Sequence, residues 1–174
     1  MSTPRPCNRR CEPLAPPLAP VCCTGPTGPA SPFQPSFFFQ AVLAQDQPSA
    51  SGIVGFDLVT TGNEEMAFDP RLAAFVAPAL GFYQFYFSVT CSVTSYQNVD
   101  LQLAVDGAKL YATTTGCPAN QVQTISGSAI LQLLPEQKVT VQAFSPSGGA
   151  LLVKGPAVPG APPYPTVFSC FSLF

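Results

Sequence analysis

Cysteine is the residue type in this sequence with the clearest chemical potential. Four of the seven cysteines lie close together near the start of the chain, as Cys7, Cys11 and the adjacent pair Cys22 and Cys23. Four thiolates could bind zinc, but ten residues separate Cys11 from Cys22, and neighbouring cysteines rarely both reach one tetrahedral ion. Adjacent cysteines pair with each other only under strain, whereas each can bond a different partner. We therefore predict disulfide cross-links between subunits and no metal site.

The other three cysteines, Cys91, Cys117 and Cys170, lie further along the chain. For Cys91 and Cys170 we favour buried free thiols that act as small hydrophobic side chains. Cys117 sits in a Thr-Gly-Cys-Pro segment and is the candidate for a disulfide with one of the first four cysteines. Because the total is odd, at least one thiol is left over or is bonded outside the chain.

No other group of residues carries a clear catalytic pattern. Asp57, Glu64, Glu65 and Asp69 could hold calcium through loop oxygens, but such a group is more often a solvated loop surface, which we favour here. The chain has no histidine, which removes the commonest general base. It also has no nucleophile elbow and no phosphate-binding loop. We expect no enzyme, no catalytic residues and no cofactor.

The composition favours self-association over other partners. Hydrophobic residues make up 47% of the chain and charged residues only 9%, so a monomer would struggle to cover itself with polar surface. The net charge of -2 gives no reason to expect nucleic acid or an anionic membrane as partner. Neither a transmembrane stretch nor a signal peptide is visible. Cysteine richness without a secretion signal suggests a protein placed on the exterior of a particle such as a spore or virion, where thiols oxidise.

The elements that must position these residues fall into two regions. Residues 1–35 hold ten of the 21 prolines and four cysteines, which predicts an extended, polyproline-like arm. Within it, residues 25–30 form two Gly-X-Y triplets of collagen type, although a plain proline-glycine linker explains them equally well. Residues 36–174 change to short apolar runs separated by turn residues, which predicts an all-β sandwich or barrel.

Ten strands are predicted in this second region, with the Asp106-Gly107 pair as a tight hairpin turn. The predicted strands cover residues 37–43, 52–58, 73–76, 81–93, 100–105, 108–111, 122–133, 138–144, 150–153 and 166–173. Several of them are apolar on both faces. The strand of residues 81–93 is an example. One of its faces carries Tyr83, Phe85 and Phe87, and the other carries Phe82 and Tyr86. One face then packs in the core while the other packs against a neighbouring subunit. For a single strand, burial of both faces within one sandwich is the alternative, and it explains several such strands together less well.

A run of aromatic, glycine and proline residues resembles the complement C1q domain family. The stretch from Phe75 to Phe85 fits the family's Phe-x-x-Pro-x-x-Gly-x-Tyr-x-Phe segment at every fixed position. Residues 126–139 resemble the family's Ser-Gly-Ser-x-x-Leu-x-Leu run and the strand after it, and residues 166–173 resemble its closing strand. Cys170 stands where the family usually has glycine. The predicted signature of the core and trimer comprises Phe75, Pro78, Gly81, Tyr83, Phe85, Phe168, Phe171 and Leu173.

This resemblance implies a ten-stranded antiparallel jelly roll of the C1q and tumour necrosis factor type that forms a homotrimer, often at the end of a collagen-like stalk. The Cys22-Cys23 arm also resembles the connectors of disulfide-linked endospore appendage fibres. We therefore predict a structural protein that assembles with itself and with other surface-layer proteins on a spore. The alternatives are a virion surface or cement protein, and a trimeric ligand-binding adhesin or cytokine-like protein.

Overall fold

Twelve antiparallel strands build the described part of the chain in the computed structural model, which describes residues 38–48, 52–63, 66–158, 163 and 165–173. In chain order they are β1 (Phe38–Val42), β2 (Gln47–Pro48), β3 (Leu58–Gly62), β4 (Phe68–Asp69), β5 (Ala74–Val76), β6 (Gly81–Val93), β7 (Gln97–Val105), β8 (Ala108–Cys117), β9 (Val122–Leu133), β10 (Lys138–Phe144), β11 (Leu151–Val153) and β12 (Val167–Ser172). The ten that exceed two residues agree with the predicted jelly roll. No helix in this part is long and apolar enough to cross a membrane.

The strands form two sheets. In the sheet that we call the front sheet, β9 pairs with one edge of β6, and β12 and β11 pair end to end with its other edge. Beyond them β1 pairs with β12, β3 with β1, and β2 with β11. The back sheet has the order β4-β5-β10-β7-β8. Consecutive strands thus often lie in different sheets, which is the topology expected of a jelly roll.

Aromatic side chains fill the space between the two sheets. Phe168 of β12 lies at the centre, with its ring centroid 5.4 Å from those of Phe39 and Phe56 and 5.8 Å from that of Phe85. All four of these rings are fully buried. Edge-to-face and offset contacts at such distances add to the energy of burial. Of the two apolar faces of β6, the one with Tyr83, Phe85 and Phe87 lies in the core, because all three are buried.

The Asp106-Gly107 hairpin is also confirmed. Asp106 has φ 49° and Gly107 has φ 82°, as the tight turn between β7 and β8 requires. The Asp106 carboxylate accepts a hydrogen bond from the backbone N–H of Lys138 at 2.9 Å. The aspartate therefore joins the turn to the start of β10, in addition to allowing the left-handed backbone conformation.

One predicted strand is wrong. Residues 52–58 were expected to form a strand, but apart from an isolated bridge between Ile53 and Gln142 the regular pairing begins only at Leu58. Val54 and Phe56 are fully buried, and the N–H of Phe56 bonds to the carbonyl of Val54 at 3.1 Å in a local turn. The alternating apolar pattern therefore marks side chains that insert into the core from an irregular segment.

Two further differences concern short or polar segments. The two-residue strands β2 and β4 were not predicted, since so few residues show no periodicity. Strand β8 continues to Cys117 instead of ending at Tyr111, because its threonine-rich half pairs with β7 along the whole ladder. The predicted N-terminal arm lies outside the described residues.

Candidate subunit interface

The outer surface of the front sheet carries large apolar side chains that are exposed in a single chain. We call this surface the front face. Its exposed apolar members come from four strands: Phe38, Phe82, Tyr86, Ile130 and Phe171 lie towards the middle of the sheet, and Val122 lies on the same side at the start of β9. They alternate along their strands with side chains that point into the core. The front face is therefore the second apolar side that the sequence predicted for β6, extended over neighbouring strands.

Strand register brings several of these side chains into one row. Phe38 of β1 lies opposite Phe171 of β12, Phe171 lies opposite Gln84 of β6, and Gln84 lies opposite Ile130 of β9. The rings of Phe38 and Phe171 stack with centroids 6.2 Å apart. Such cross-strand pairs stabilise a sheet surface, and here they form a mainly apolar band across four strands, with Gln84 between Phe171 and Ile130.

No charged side chain interrupts the front face among the described residues of β1, β6, β9 and β12. Its other members are mainly serine, threonine, valine and glutamine side chains. They include Gln40, Gln84, Ser88, Thr124, Ser126, Ser128, Gln132, Val167 and Ser169. A partner can cover this surface without removing any charge from water, which is the largest cost of burying a polar surface.

The outer surface of the back sheet has the opposite character. Its side chains bond to one another: the Gln102 amide donates to the Gln142 carbonyl oxygen at 2.5 Å, and the Thr114 hydroxyl donates to Asp100 at 2.7 Å. Lys138 is exposed at the end of the same surface. The two outer surfaces of the sandwich thus differ, and only the front face has the apolar character of an interface core.

The predicted signature residues divide between the core and the front face. Half of them are in the core: Phe75, Tyr83, Phe85 and Phe168 are buried. Phe171 lies on the front face instead, and Leu173 is half-buried beyond the end of β12. The remaining two signature residues lie at the start of β6. Pro78 precedes the strand and is exposed, and Gly81 is its first residue and is half-buried.

Sequence reasoning missed two contributors to the front face. Phe38 and Ile130 lie in strands whose alternation was recognised, but the face to which each belongs depends on strand register. The pairing of β1 with β12 and of β9 with β6 sets that register. A sequence pattern gives the two faces of a strand without saying which one the sandwich buries.

The described cysteines are all buried free thiols, as predicted for Cys91 and Cys170. Burial raises the pKa of the Cys91 thiol to about 12, and the charge of the neighbouring Cys117 adds to the effect. Burial alone raises the pKa of the Cys170 thiol. Cys117 is completely buried, and its disulfide with one of the first four cysteines stays a prediction. Cys7, Cys11, Cys22 and Cys23 lie outside the described residues.

The acidic residues considered for calcium do not come together as a metal site in the described part of the chain. Asp57 accepts a hydrogen bond from the Ala44 N–H at 2.7 Å, and Asp69 accepts one from the Arg71 N–H at 2.8 Å. Glu64 and Glu65 lie outside the described residues. No group of three potential ligands among the described residues is close enough to hold a metal ion.

One ion pair joins two loops beside the front sheet. The Lys154 ammonium donates to Asp46 at 2.6 Å, and the Gly155 N–H donates to the other oxygen of that carboxylate at 2.9 Å. The hydrogen bond from Lys154 holds the pKa of Asp46 below its usual range. The carboxylate is largely exposed, so this pair fastens loops without forming a reactive site.

Two antiparallel sheets in this order form a jelly-roll sandwich. The sequence matches the C1q domain over residues 37–157, which is more than half of the chain. The protein therefore belongs to the C1q domain family. Domains of this type are typically non-enzymatic and commonly form homotrimers.

Solved structures agree with this fold. The globular domain of zebrafish complement 1qA protein superimposes with a TM-score of 0.58 at 17% identity, over 81% of this chain and 98% of that one. The Eiger TNF of S. frugiperda superimposes with a TM-score of 0.57 at 12% identity, over 79% of this chain and 91% of that one. No curated protein matches the sequence.

Proposed function

We propose that this protein is a non-enzymatic structural subunit whose jelly rolls form homotrimers through the front face. The observation that carries the proposal is the exposed apolar band from Phe38 to Ile130, which no charged side chain interrupts in the described strands. Exposed patches of clustered apolar side chains on soluble domains are often functional surfaces. The polar, internally bonded back sheet then faces outward.

The second part of the proposal concerns how trimers become a larger assembly. The arm of residues 1–35 carries Cys7, Cys11 and the Cys22-Cys23 pair. An extended arm can reach a neighbouring trimer, where a disulfide makes a weak contact permanent. Such cross-linking suits a particle that must last in an oxidising environment. We therefore place the protein on the exterior of a spore, as part of its outer layer or of an appendage fibre.

The test separates the trimer from the cross-links. Sedimentation of the reduced protein is expected to give a trimer, and electrophoresis without reductant is expected to give multimers that collapse when reductant is added. Replacing the adjacent pair by Cys22→Ser and Cys23→Ser should leave discrete trimers. The matched control is Cys170→Ala, which removes a buried core thiol and should leave the multimers unchanged.

Three results would contradict the proposal. A compact monomer under reducing conditions would contradict the proposed trimer. An electrophoresis pattern that is the same with and without reductant would contradict the proposed disulfide cross-links. Discrete trimers that saturably bind a receptor or carbohydrate, with no multimers, would favour the ligand-binding class. Antibody labelling of intact spores and virions distinguishes a spore layer from the virion surface or cement protein that is the near alternative.

A further inference from the structure

Two of the three buried cysteines lie where the chain crosses between the sheets. We propose that Cys91 and Cys117 form a disulfide within one subunit that links the front sheet to the back sheet. Cys91 belongs to β6 in the front sheet, and Cys117 is the last residue of β8 in the back sheet. This proposal assigns Cys117 to a partner in its own domain, in place of a cysteine of the arm.

The topology brings these two positions to the same end of the sandwich. The turn at residues 94–96 carries the chain from β6 to β7, and the turn at residues 118–121 carries it from β8 to β9. Gln97, the first residue of β7, lies opposite Cys117. The Asn120 N–H donates to the Val93 carbonyl at 2.8 Å, which holds the two crossings together two residues from Cys91.

Both thiols lie in the core at this corner. Both side chains are completely buried in the same core cluster, and Cys117 is the titratable neighbour that acts on the Cys91 thiol. Cys170 is equally buried, but only burial acts on its thiol. Of the three cysteines in the described part of the chain, Cys91 and Cys117 are thus the pair positioned for a bond.

The reaction needs an oxidant, for which we name a small-molecule disulfide. One cysteine thiolate attacks the oxidant and releases one thiol, and the second cysteine thiolate then attacks the mixed disulfide and releases another. The two cysteines lose two protons and two electrons in total, and the small disulfide gains them as two thiols. One S–S bond forms in the protein and one is broken in the oxidant.

Burial decides when this reaction occurs. The thiolate is the reactive form, and a pKa of about 12 for Cys91 leaves very little of it at neutral pH in the folded domain. The disulfide therefore forms while the chain folds, before the core closes. Once formed, it is shielded from added reductant by the same burial, so native protein should keep it under conditions that reduce exposed disulfides.

The bond has a measurable effect on stability. It closes a loop from residue 91 to residue 117, and constraint of the unfolded chain by a loop of this size raises the melting temperature of a domain like this by about 10 °C. The shift should appear between protein refolded with oxidised glutathione and protein refolded with reductant, because the two forms differ in this bond.

Peptide mapping tests the proposal on the full wild-type chain. Protein refolded from denaturant with oxidised glutathione is alkylated in denaturant and cleaved by trypsin, which separates the cysteines because Arg71, Lys109 and Lys138 fall between them. The expected product is a link between the peptides of residues 72–109 and 110–138. Alkylation of both peptides, a link from 110–138 to residues 11–71, or glutathione on either cysteine as the main product would each overturn it.

Variants supply the second measurement. Cys117→Ala should abolish the difference in melting temperature between the oxidised and reduced proteins, whereas Cys170→Ala removes an equally buried thiol and should keep the difference. Equal loss in both variants would overturn the proposal, and if Cys117→Ala does not fold, the peptide map on the wild type decides. Multimers on gels depend on the arm cysteines, so this proposal and the proposed function can fail separately.

Discussion

Removal of one aromatic ring from the front face should weaken the trimer without unfolding the subunit. Tyr86 points away from the core in the middle of β6 and is 46% exposed. Its neighbours on the front face are 41% (Phe38), 36% (Phe82), 59% (Ile130) and 41% (Phe171) exposed. With about 200 Å² for the full surface of a large side chain, these fractions leave about 450 Å² of apolar surface on each subunit.

Burial of this surface sets the size of the effect. At about 25 cal/mol per Å², these five side chains supply at most about 11 kcal/mol per subunit, of which Tyr86 accounts for about 2 kcal/mol. Tyr86→Ser should therefore cost the trimer about 6 kcal/mol, or roughly 10⁴-fold in its association constant. For a trimer, the concentration at which half the protein is assembled varies with the inverse square root of the association constant. This midpoint concentration should therefore rise about 100-fold.

Sedimentation velocity over a dilution series measures this midpoint, and circular dichroism checks that the variant keeps its β-sheet signal. The control is Tyr96→Ser, which removes the same ring from the exposed turn between β6 and β7. Tyr96→Ser should leave the midpoint unchanged. A Tyr86→Ser midpoint equal to that of the wild type would refute the assignment of the interface to the front face.

Three further predictions concern the stability of the subunit. Gly62→Ala should cost at least about 2 kcal/mol in urea unfolding, because Gly62 has φ 73° and an added Cβ would lie 2.0 Å from the Phe38 carbonyl oxygen; an unchanged urea midpoint would contradict this. Phe168→Ala should cost about 3–5 kcal/mol in the same assay, and a loss below about 1 kcal/mol would show that the aromatic centre repacks. Asp46→Asn should cost less than about 1 kcal/mol at pH 7. The folded pKa of Asp46 is lowered, so the stabilising contribution of its pair with Lys154 is present above about pH 4 and is lost as the pH falls through the folded pKa. The melting temperatures of the wild type and the variant should therefore converge in acid. A difference in melting temperature that stays the same in acid would count against the pair.

The main features of the fold could be predicted from the sequence because its strands are long and its turns carry specific residues. Strands β6, β9 and β10 have the predicted bounds, and the Asp106-Gly107 turn needs little tertiary context. The failure at residues 52–58 has a physical origin: Val54 and Phe56 are buried by the sandwich, and burial of alternate side chains does not require a paired backbone.

The candidate interface could be predicted only in part. Alternation along β6 identified Phe82 and Tyr86 as a second apolar face, because that information lies within one strand. The contributions of Phe38 and Ile130 depend on which strands become neighbours, which is a long-range property. The same limit explains Cys91 and Cys117, whose proximity arises from two crossings between sheets.

One polar side chain gives the apolar front face a preferred geometry. Gln84 lies between Phe171 and Ile130 in the row that crosses four strands. When three copies close over this row, each carboxamide leaves water and must find a donor and an acceptor on the opposing subunit. Apolar contacts alone would allow one subunit to shift against the next. A directional hydrogen-bond requirement that is repeated in three subunits selects one relative orientation. Gln84 can thus fix the relative orientation of the subunits, while the aromatic rings around it supply the affinity.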